Sequence, residues 1–163
     1  MSRSRPIAWA AIAALAVAGL IAVAVPQVAD RRGESGAAAA ATGLITSIRA
    51  YEEAADGRVL LIDIRTPGEW RATGVPAGAV RSDWWQSGGR EKFLQDVLAL
   101  TGDDRDRPIA LICARGGRSS HALRYLKANG FTAVRDVGEG MLGSRSGPGW
   151  LARNLPTTPC AAC

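Results

Sequence analysis

One short stretch of this sequence concentrates more chemistry than any other: Cys113-Ala114-Arg115-Gly116-Gly117-Arg118-Ser119. Cys113 closes the apolar run Ile109-Ala110-Leu111-Ile112, and the glycines after it open a segment with helical spacing. A thiol at such a junction lies where several peptide N–H groups converge at a helix N-terminus. That cradle binds anions through the backbone alone. It also favours a thiolate over a thiol, so Cys113 is the candidate catalytic nucleophile, with a pKa expected below the free value of about 8.5. Gly116 and Gly117 are expected to adopt backbone angles that a side chain makes costly. Arg118 is expected to add a charged fork toward a bound anion, and Arg115 to extend the positive field to the mouth of the loop. The candidate anion-binding set is thus Ala114, Arg115, Gly116, Gly117, Arg118 and Ser119. A merely structural cysteine at the end of a core strand is the competing reading. Two arginines and two glycines within five residues argue against it.

The only other cysteines form the terminal pair Pro159-Cys160-Ala161-Ala162-Cys163. Two cysteines separated by two residues can close a disulfide, bind a metal weakly or accept sulfur as a thiol pair. The single histidine, His121, lies on the helix two residues past Ser119 and reads as a helix-surface imidazole. An already ionised nucleophile needs no general base.

The elements that must position the loop are legible from periodicity. Val59-Leu60-Leu61-Ile62-Asp63-Ile64 and Ile109–Ile112 are short, almost unbroken apolar runs, as in strands buried on both faces of a parallel sheet. Between them Phe93, Leu94, Val97 and Leu98 repeat at helical spacing, with Gly102 as the stop. Ser119, Ala122, Leu123 and Leu126 make a second helix ended by Asn129-Gly130, and Ala133 to Val137 reads as another strand. Pro67 begins a short helix with Trp70 as core, and one of Trp84 and Trp85 is expected to be buried. Strands alternating with helices predict a small α/β domain built on a mostly parallel sheet. Ligands of such sheets sit at the carboxyl ends of the strands, where Cys113 lies.

Composition narrows the class. The chain has 163 residues, 47% of them hydrophobic and 21% charged, enough apolar mass for one domain and too much for a disordered chain. Three cysteines cannot staple a fold of this size, and Cys113 and His121 stand far in sequence from Cys160 and Cys163, so no zinc knuckle is expected. No cofactor is expected either. The net charge of +5 comes from 18 Arg and two Lys interspersed with acids, which leaves no basic run for nucleic acid. Arg3 and Arg5 precede an uncharged apolar stretch from Pro6 to Val25, the pattern of an export segment with a cleavage site near Ala22-Val23-Ala24. A retained anchor over residues 7–25 is the competing reading, favoured less because nine of those residues are Ala. Either way the chain after Val25 is expected outside the cytoplasm, in the periplasm, touching membrane only if the anchor is kept. The expected organisation is a signal or anchor over 1–29, a Gly/Ala-rich linker over 30–43, a folded domain over 44–156 and a tail over 157–163.

Cys113-x-x-Gly116-x-Arg118-Ser119, with Asp63-x-Arg65-x-x-x-Glu69-Trp70 upstream, resembles the single-domain rhodanese (thiosulfate sulfurtransferase) family from about Leu44 to Pro156. The resemblance implies a small rhodanese-like parallel sheet with helices on both faces, and a Cys113 that carries a persulfide between half-reactions. It further implies a small anionic sulfur donor, a thiol or cyanide acceptor, and room for a protein sulfur acceptor. Four residues separate Cys113 from Arg118, whereas cysteine phosphatases on the similar fold place five, so phosphatase or arsenate reductase chemistry ranks third. The second reading is a rhodanese-type binding or redox module that serves one partner protein without turnover. Asp63 and Arg65 match the family's acidic and basic pair and are expected to be structural. Val75 stands where the family usually has His, with one extra residue before Gly74. The Gly-rich stretch from Gly138 to Trp150 is expected over the active loop, and Cys160 or Cys163 to reach Cys113 and resolve its persulfide.

Overall fold

A run of apolar residues with no polar alternation must be covered on two sides, because a strand turns successive side chains to opposite faces. The computed structural model describes residues 43–163 and meets that demand with a five-stranded sheet. Its strands are β1 (Leu44–Ile45), β2 (Leu60–Asp63), β4 (Val80–Arg81), β5 (Ile109–Ile112) and β6 (Val134–Val137), in the spatial order β1-β6-β5-β2-β4. Every pairing is parallel. Two further strands, β3 (Val75–Pro76) and β7 (Thr157–Thr158), pair antiparallel outside that sheet. The helices among the described residues are α1 (Ser47–Ala55), α2 (Pro67–Thr73), α3 (Gly89–Thr101) and α4 (Gly117–Ala128).

The central strands divide their side chains between two cores. Ile62, Ile109 and Leu111 pack with Phe93 and Val97 of α3 and Ala122 and Leu126 of α4. Leu61, Ala110 and Ile112 face the other way, onto Ala50 of α1 and onto Met141 and Trp150. Each of these aliphatic side chains that is fully removed from water contributes roughly 1.5–3 kcal/mol, so the sheet is the rigid part of the molecule. The expected α/β architecture, a parallel sheet covered on both faces, is therefore present. So are the helix stops: Gly102 caps α3 in a left-handed conformation, and Asn129 caps α4.

Periodicity did not announce the two-residue strands or α1, because two residues carry no period and α1 buries only part of one face. Ordered pairing also runs past Pro156. Ala77 donates to the Pro156 carbonyl at 3.0 Å, and Val75 pairs with Thr158. The indole of Trp150, edge-on to Tyr51 at 5.9 Å, donates to the same carbonyl at 3.0 Å, which fixes where the tail departs. Among the described residues no helix is long and apolar enough to cross a membrane. The stretch expected to be an export segment or anchor, and the expected linker up to residue 42, lie outside the described residues.

Candidate active site

Parallel register decides which residues share the carboxyl edge of the sheet. Asp63 at the end of β2 stands beside Ile112 of β5 on one side and Arg81 of β4 on the other. Cys113 follows Ile112 directly, and its residue is 1% exposed. Its Sγ lies 3.4 Å from Ser119 Oγ, and that hydroxyl donates to the Gly116 carbonyl at 3.1 Å. Ser119 is fully buried, so the contact between sulfur and hydroxyl is shielded from water.

The chain between them folds as the loop the sequence predicts. Gly116 takes φ 80°, and a Cβ built there would stand 2.3 Å from the Gly138 carbonyl oxygen, so both conformation and space demand glycine. Gly117 differs from the expectation. It is the first residue of α4, has no positive φ, and an added Cβ would meet nothing within 4 Å. Among the described residues, no amide from Ala114 to Ser119 donates to a protein acceptor. A helix start leaves its first N–H groups unpaired, and a loop of this kind adds more, so six donors remain for an anion.

One of the two loop arginines is placed differently from expectation. Arg118 does not turn its fork into the loop: its two Nη atoms bond the Glu69 carboxylate at 2.7 and 2.5 Å, and its guanidinium covers the Trp85 ring at 4.6 Å. The reason lies in α2, where Thr66 and Glu69 form a capping box that holds the Glu69 carboxylate facing the loop. A carboxylate held there takes both arms of the fork in a charge-assisted, bidentate pair. The pKa of Arg118 is raised chiefly by the Glu69 hydrogen bonds and in smaller part by the charges of Glu69, Cys113 and Asp63. Glu69 is correspondingly held at about 2, first by the bonds from Arg118. Arg115 is exposed and reaches the Gly143 carbonyl at 3.4 Å. Trp84 is the buried tryptophan, edge-on to Phe93 and Tyr125, whereas Trp85 is 65% exposed at the rim. His121 is exposed and contacts Arg124.

Asp63 and Arg65 form the structural pair expected of them. Both are buried, the guanidinium is bidentate on Asp63, and its remaining donors reach Thr73 Oγ1 and the Gly74 carbonyl at 2.7 Å each. No donor of that fork is left for a ligand. The stretch after β6 does lie against the loop. Met141 donates to the Cys113 carbonyl and Leu142 to that of Ala114, both at 2.9 Å. Gly140 approaches so closely that a Cβ would stand 2.5 Å from the Ala114 oxygen. Glu139, buried, anchors this segment through Arg153 at 2.6 and 2.8 Å.

Sequence reasoning missed Asp136. It is 5% exposed, one carboxylate oxygen has no partner, and it faces a cavity of about 370 Å³ behind the loop, lined also by Arg115, Gly116, Gly117 and Ser120. Burial pushes its pKa up to about 6, against the smaller opposing effects of Ser119 and Arg124. The available signal was an aspartate inside the strand expected over Ala133 to Val137. Cys160 and Cys163 are bonded to each other rather than to Cys113, which is a free thiol.

A family model described as a rhodanese-like domain matches residues 47–145. Over 153 residues the chain is 30% identical to a rice protein (Oryza sativa subsp. indica) called Protein THYLAKOID RHODANESE-LIKE, chloroplastic, with 88% of this chain covered. The chain spans about 30% of that relative's length. Its fold is similar to that of the polysulfide-sulfur transferase homodimer of Wolinella succinogenes, with a TM-score of 0.54 and 24% identity over 82% of this chain and 91% of that one. It is also similar to Rv0390 of M. tuberculosis, with a TM-score of 0.52 and 31% identity over 71% of this chain and 96% of that one.

Proposed function

This chain belongs to the rhodanese-like domain family, and from that premise we propose that it is an exported sulfurtransferase working through a persulfide on Cys113. The Cys113 thiolate attacks the sulfane sulfur of thiosulfate or a related donor. A new S–S bond forms, the old one breaks, and sulfite leaves with its electron pair. A thiolate or cyanide then attacks the outer sulfur, and the Cys113 thiolate is released unchanged. No electron is gained or lost by the protein over the cycle.

The observation that carries this reading is the set of six unspent amides from Ala114 to Ser119 around the end of a core strand. Fixed donors of that kind stabilise negative charge on the donor, on the persulfide and on the departing thiolate without reorganising. In this scheme Cys113 is the catalytic residue. The backbone of Ala114, Arg115, Gly116, Gly117, Arg118 and Ser119 is the anion site. The Arg118 guanidinium, held on Glu69, supplies field rather than a direct fork. The acceptor is a small thiol or the thiol of a partner protein.

One observation favours the second reading, a rhodanese-type module without turnover: Cys113 is almost wholly buried. A thiocyanate-forming assay on the mature protein and on Cys113→Ser separates the two. The sulfurtransferase reading expects activity that vanishes in the variant. Comparable rates in both proteins refute the cysteine mechanism, and no rate in either favours the module. A folded domain that begins near residue 44, with ordered structure running on through Thr158 rather than stopping at 156, and a location outside the cytoplasm are part of the same proposal. Export is tested by N-terminal sequencing of the protein recovered from cell fractions, where an intact N-terminus on soluble cytoplasmic protein overturns it.

A further inference from the structure

The terminal cysteines are held in a way that a passive clip does not need. Pairing of β7 with β3 carries the last residues across the end of β4, where the Cys160–Cys163 disulfide comes to rest on Arg81. One guanidinium nitrogen, Nη1, lies 2.8 Å from Cys160 Sγ and also contacts Cys163 Sγ. Arg71 donates to the backbone carbonyl of Cys163 and fixes the chain end. Arg81 in turn rests over the Trp70 ring at 5.6 Å. Both cysteines are partly exposed, and each borders an open cleft: about 300 Å³ beside Cys160, and about 430 Å³ beside Cys163. Asp83 and Asp96 line the second cleft, so the field there is mixed rather than purely positive.

A neutral disulfide gains little from an adjacent cation. The thiolate that appears when the bond opens gains much more, so a guanidinium on both sulfurs stabilises the reduced state and makes either sulfur a better leaving group. We propose that Cys160–Cys163 is a second reactive centre, separate from Cys113, that exchanges two electrons with dithiols. One thiolate of an incoming dithiol attacks one sulfur of the pair. A mixed disulfide forms, the Cys160–Cys163 bond breaks, and the second sulfur departs as a thiolate beside Arg81. The remaining thiol of the dithiol, losing its proton to water, then closes the dithiol's own disulfide and releases Cys160 and Cys163 reduced. The dithiol is oxidised by two electrons and the terminal pair is reduced by two. Run in reverse, the same steps oxidise the tail at the expense of a disulfide.

The test uses the full chain carrying Cys113→Ser, so that its outcome is independent of sulfur transfer. The protein is equilibrated with graded ratios of reduced and oxidised dithiothreitol, thiols are trapped with a maleimide, and the mass increase counts reduced tails. A free peptide of sequence Thr157 to Cys163 is the reference. The expected result is a tail reduced more readily than the peptide, by about fivefold in the equilibrium constant. Arg81→Leu is expected to remove that difference and Arg81→Lys to keep part of it. Identical equilibria for the full chain and the free peptide overturn the proposal, even if the Arg81 variants fail to fold. So does a disulfide in the folded chain that the buffers never open.

Discussion

Two cysteine sites lie near the carboxyl ends of two strands of one sheet, Cys113 after β5 and the terminal pair against Arg81 of β4, in opposite surroundings. Cys113 is buried in the apolar core with Ile62, Ile64 and Trp84; among the described residues its side chain has one polar contact, the Ser119 hydroxyl, and the loop that follows leaves its amides unpaired. The terminal pair is partly exposed on a chain end with one arginine against both sulfurs. Arg81 and Ile112 flank the same residue, Asp63, so the backbone of the arginine that meets the tail and that of the strand leading to Cys113 lie two strand spacings apart, on the order of 10 Å. Backbone dipoles are fixed by the fold and cannot rotate away, which suits a group that must meet an anionic donor. A side-chain cation is mobile and screened, which suits a pair whose charge appears only on reduction. The difference teaches that removing a charge matters at the tail, whereas distorting the chain matters at the loop.

The largest effect that bears on this contrast is expected from Cys113→Ser. Sulfur transfer from thiosulfate falls at least ~1000-fold, while the number of thiols released from the tail by dithiothreitol stays at two per chain. A substantial residual rate would mean that the terminal pair carries the sulfur, and the division between the sites would collapse.

Next comes the loop backbone. Gly116→Ala forces a side chain into a left-handed conformation and against the Gly138 carbonyl, and is expected to cost about 2–4 kcal/mol in denaturant unfolding. Gly117→Ala, one position on, is expected to be neutral or stabilising by up to about 1 kcal/mol. Equal costs at the two positions would show that the loop is not held where the close approach puts it.

Two carboxylates flank the loop and are displaced in opposite directions, which gives a pH test. Asp136 titrates near 6 in the folded chain against an ordinary 3.8, so the folded state holds its proton more tightly than the unfolded chain. Stability from this group is therefore present at low pH and is lost as the pH rises from about 4 to about 6, by about 2–3 kcal/mol. Asp136→Asn removes that slope, and the variant is expected to gain on the parent between pH 4 and 7 in urea titrations. A parent and variant that run parallel over this range would mean that Asp136 is not desolvated behind the loop.

The smallest effect belongs to Glu69. Its folded value of about 2 lies below the ordinary 4.5, so its contribution is present above pH 4.5 and is lost as the pH falls toward 2. The pair with Arg118 is partly exposed, and Glu69→Gln is expected to cost no more than about 1 kcal/mol at pH 7. The gap should narrow below pH 4.5 and close only near pH 2 in the same titrations. A cost as large as that of Gly116→Ala would shift the weight of the loop from its backbone to its side chains.

Several of these positions were legible as residue types but not as partners. Glu69 and Arg118 both stand in recognised motifs, yet 49 positions separate them and no local rule pairs them. Arg81 and the tail are likewise joined across 79 positions, by the antiparallel pairing of β3 and β7, each two residues long. Short strands of this kind have no periodicity to read. Gly116 and Gly117 look alike in sequence, and only the fold distinguishes them, through the left-handed backbone of Gly116 and its close approach to the Gly138 carbonyl.

The amino-acid sequence by itself determined the parallel α/β sheet, the helix limits near Gly102 and Asn129, and the position of Cys113 at a strand end ahead of a glycine loop. These follow from local periodicity, caps and apolar runs, which act over a few residues. Tertiary structure alone decided that Arg118 answers Glu69 instead of the loop, that Asp136 is buried behind it, and that the terminal disulfide lies on Arg81. Those outcomes depend on which distant segments the sheet brings together, and the choice is made by packing and charge across the fold rather than by neighbours along the chain.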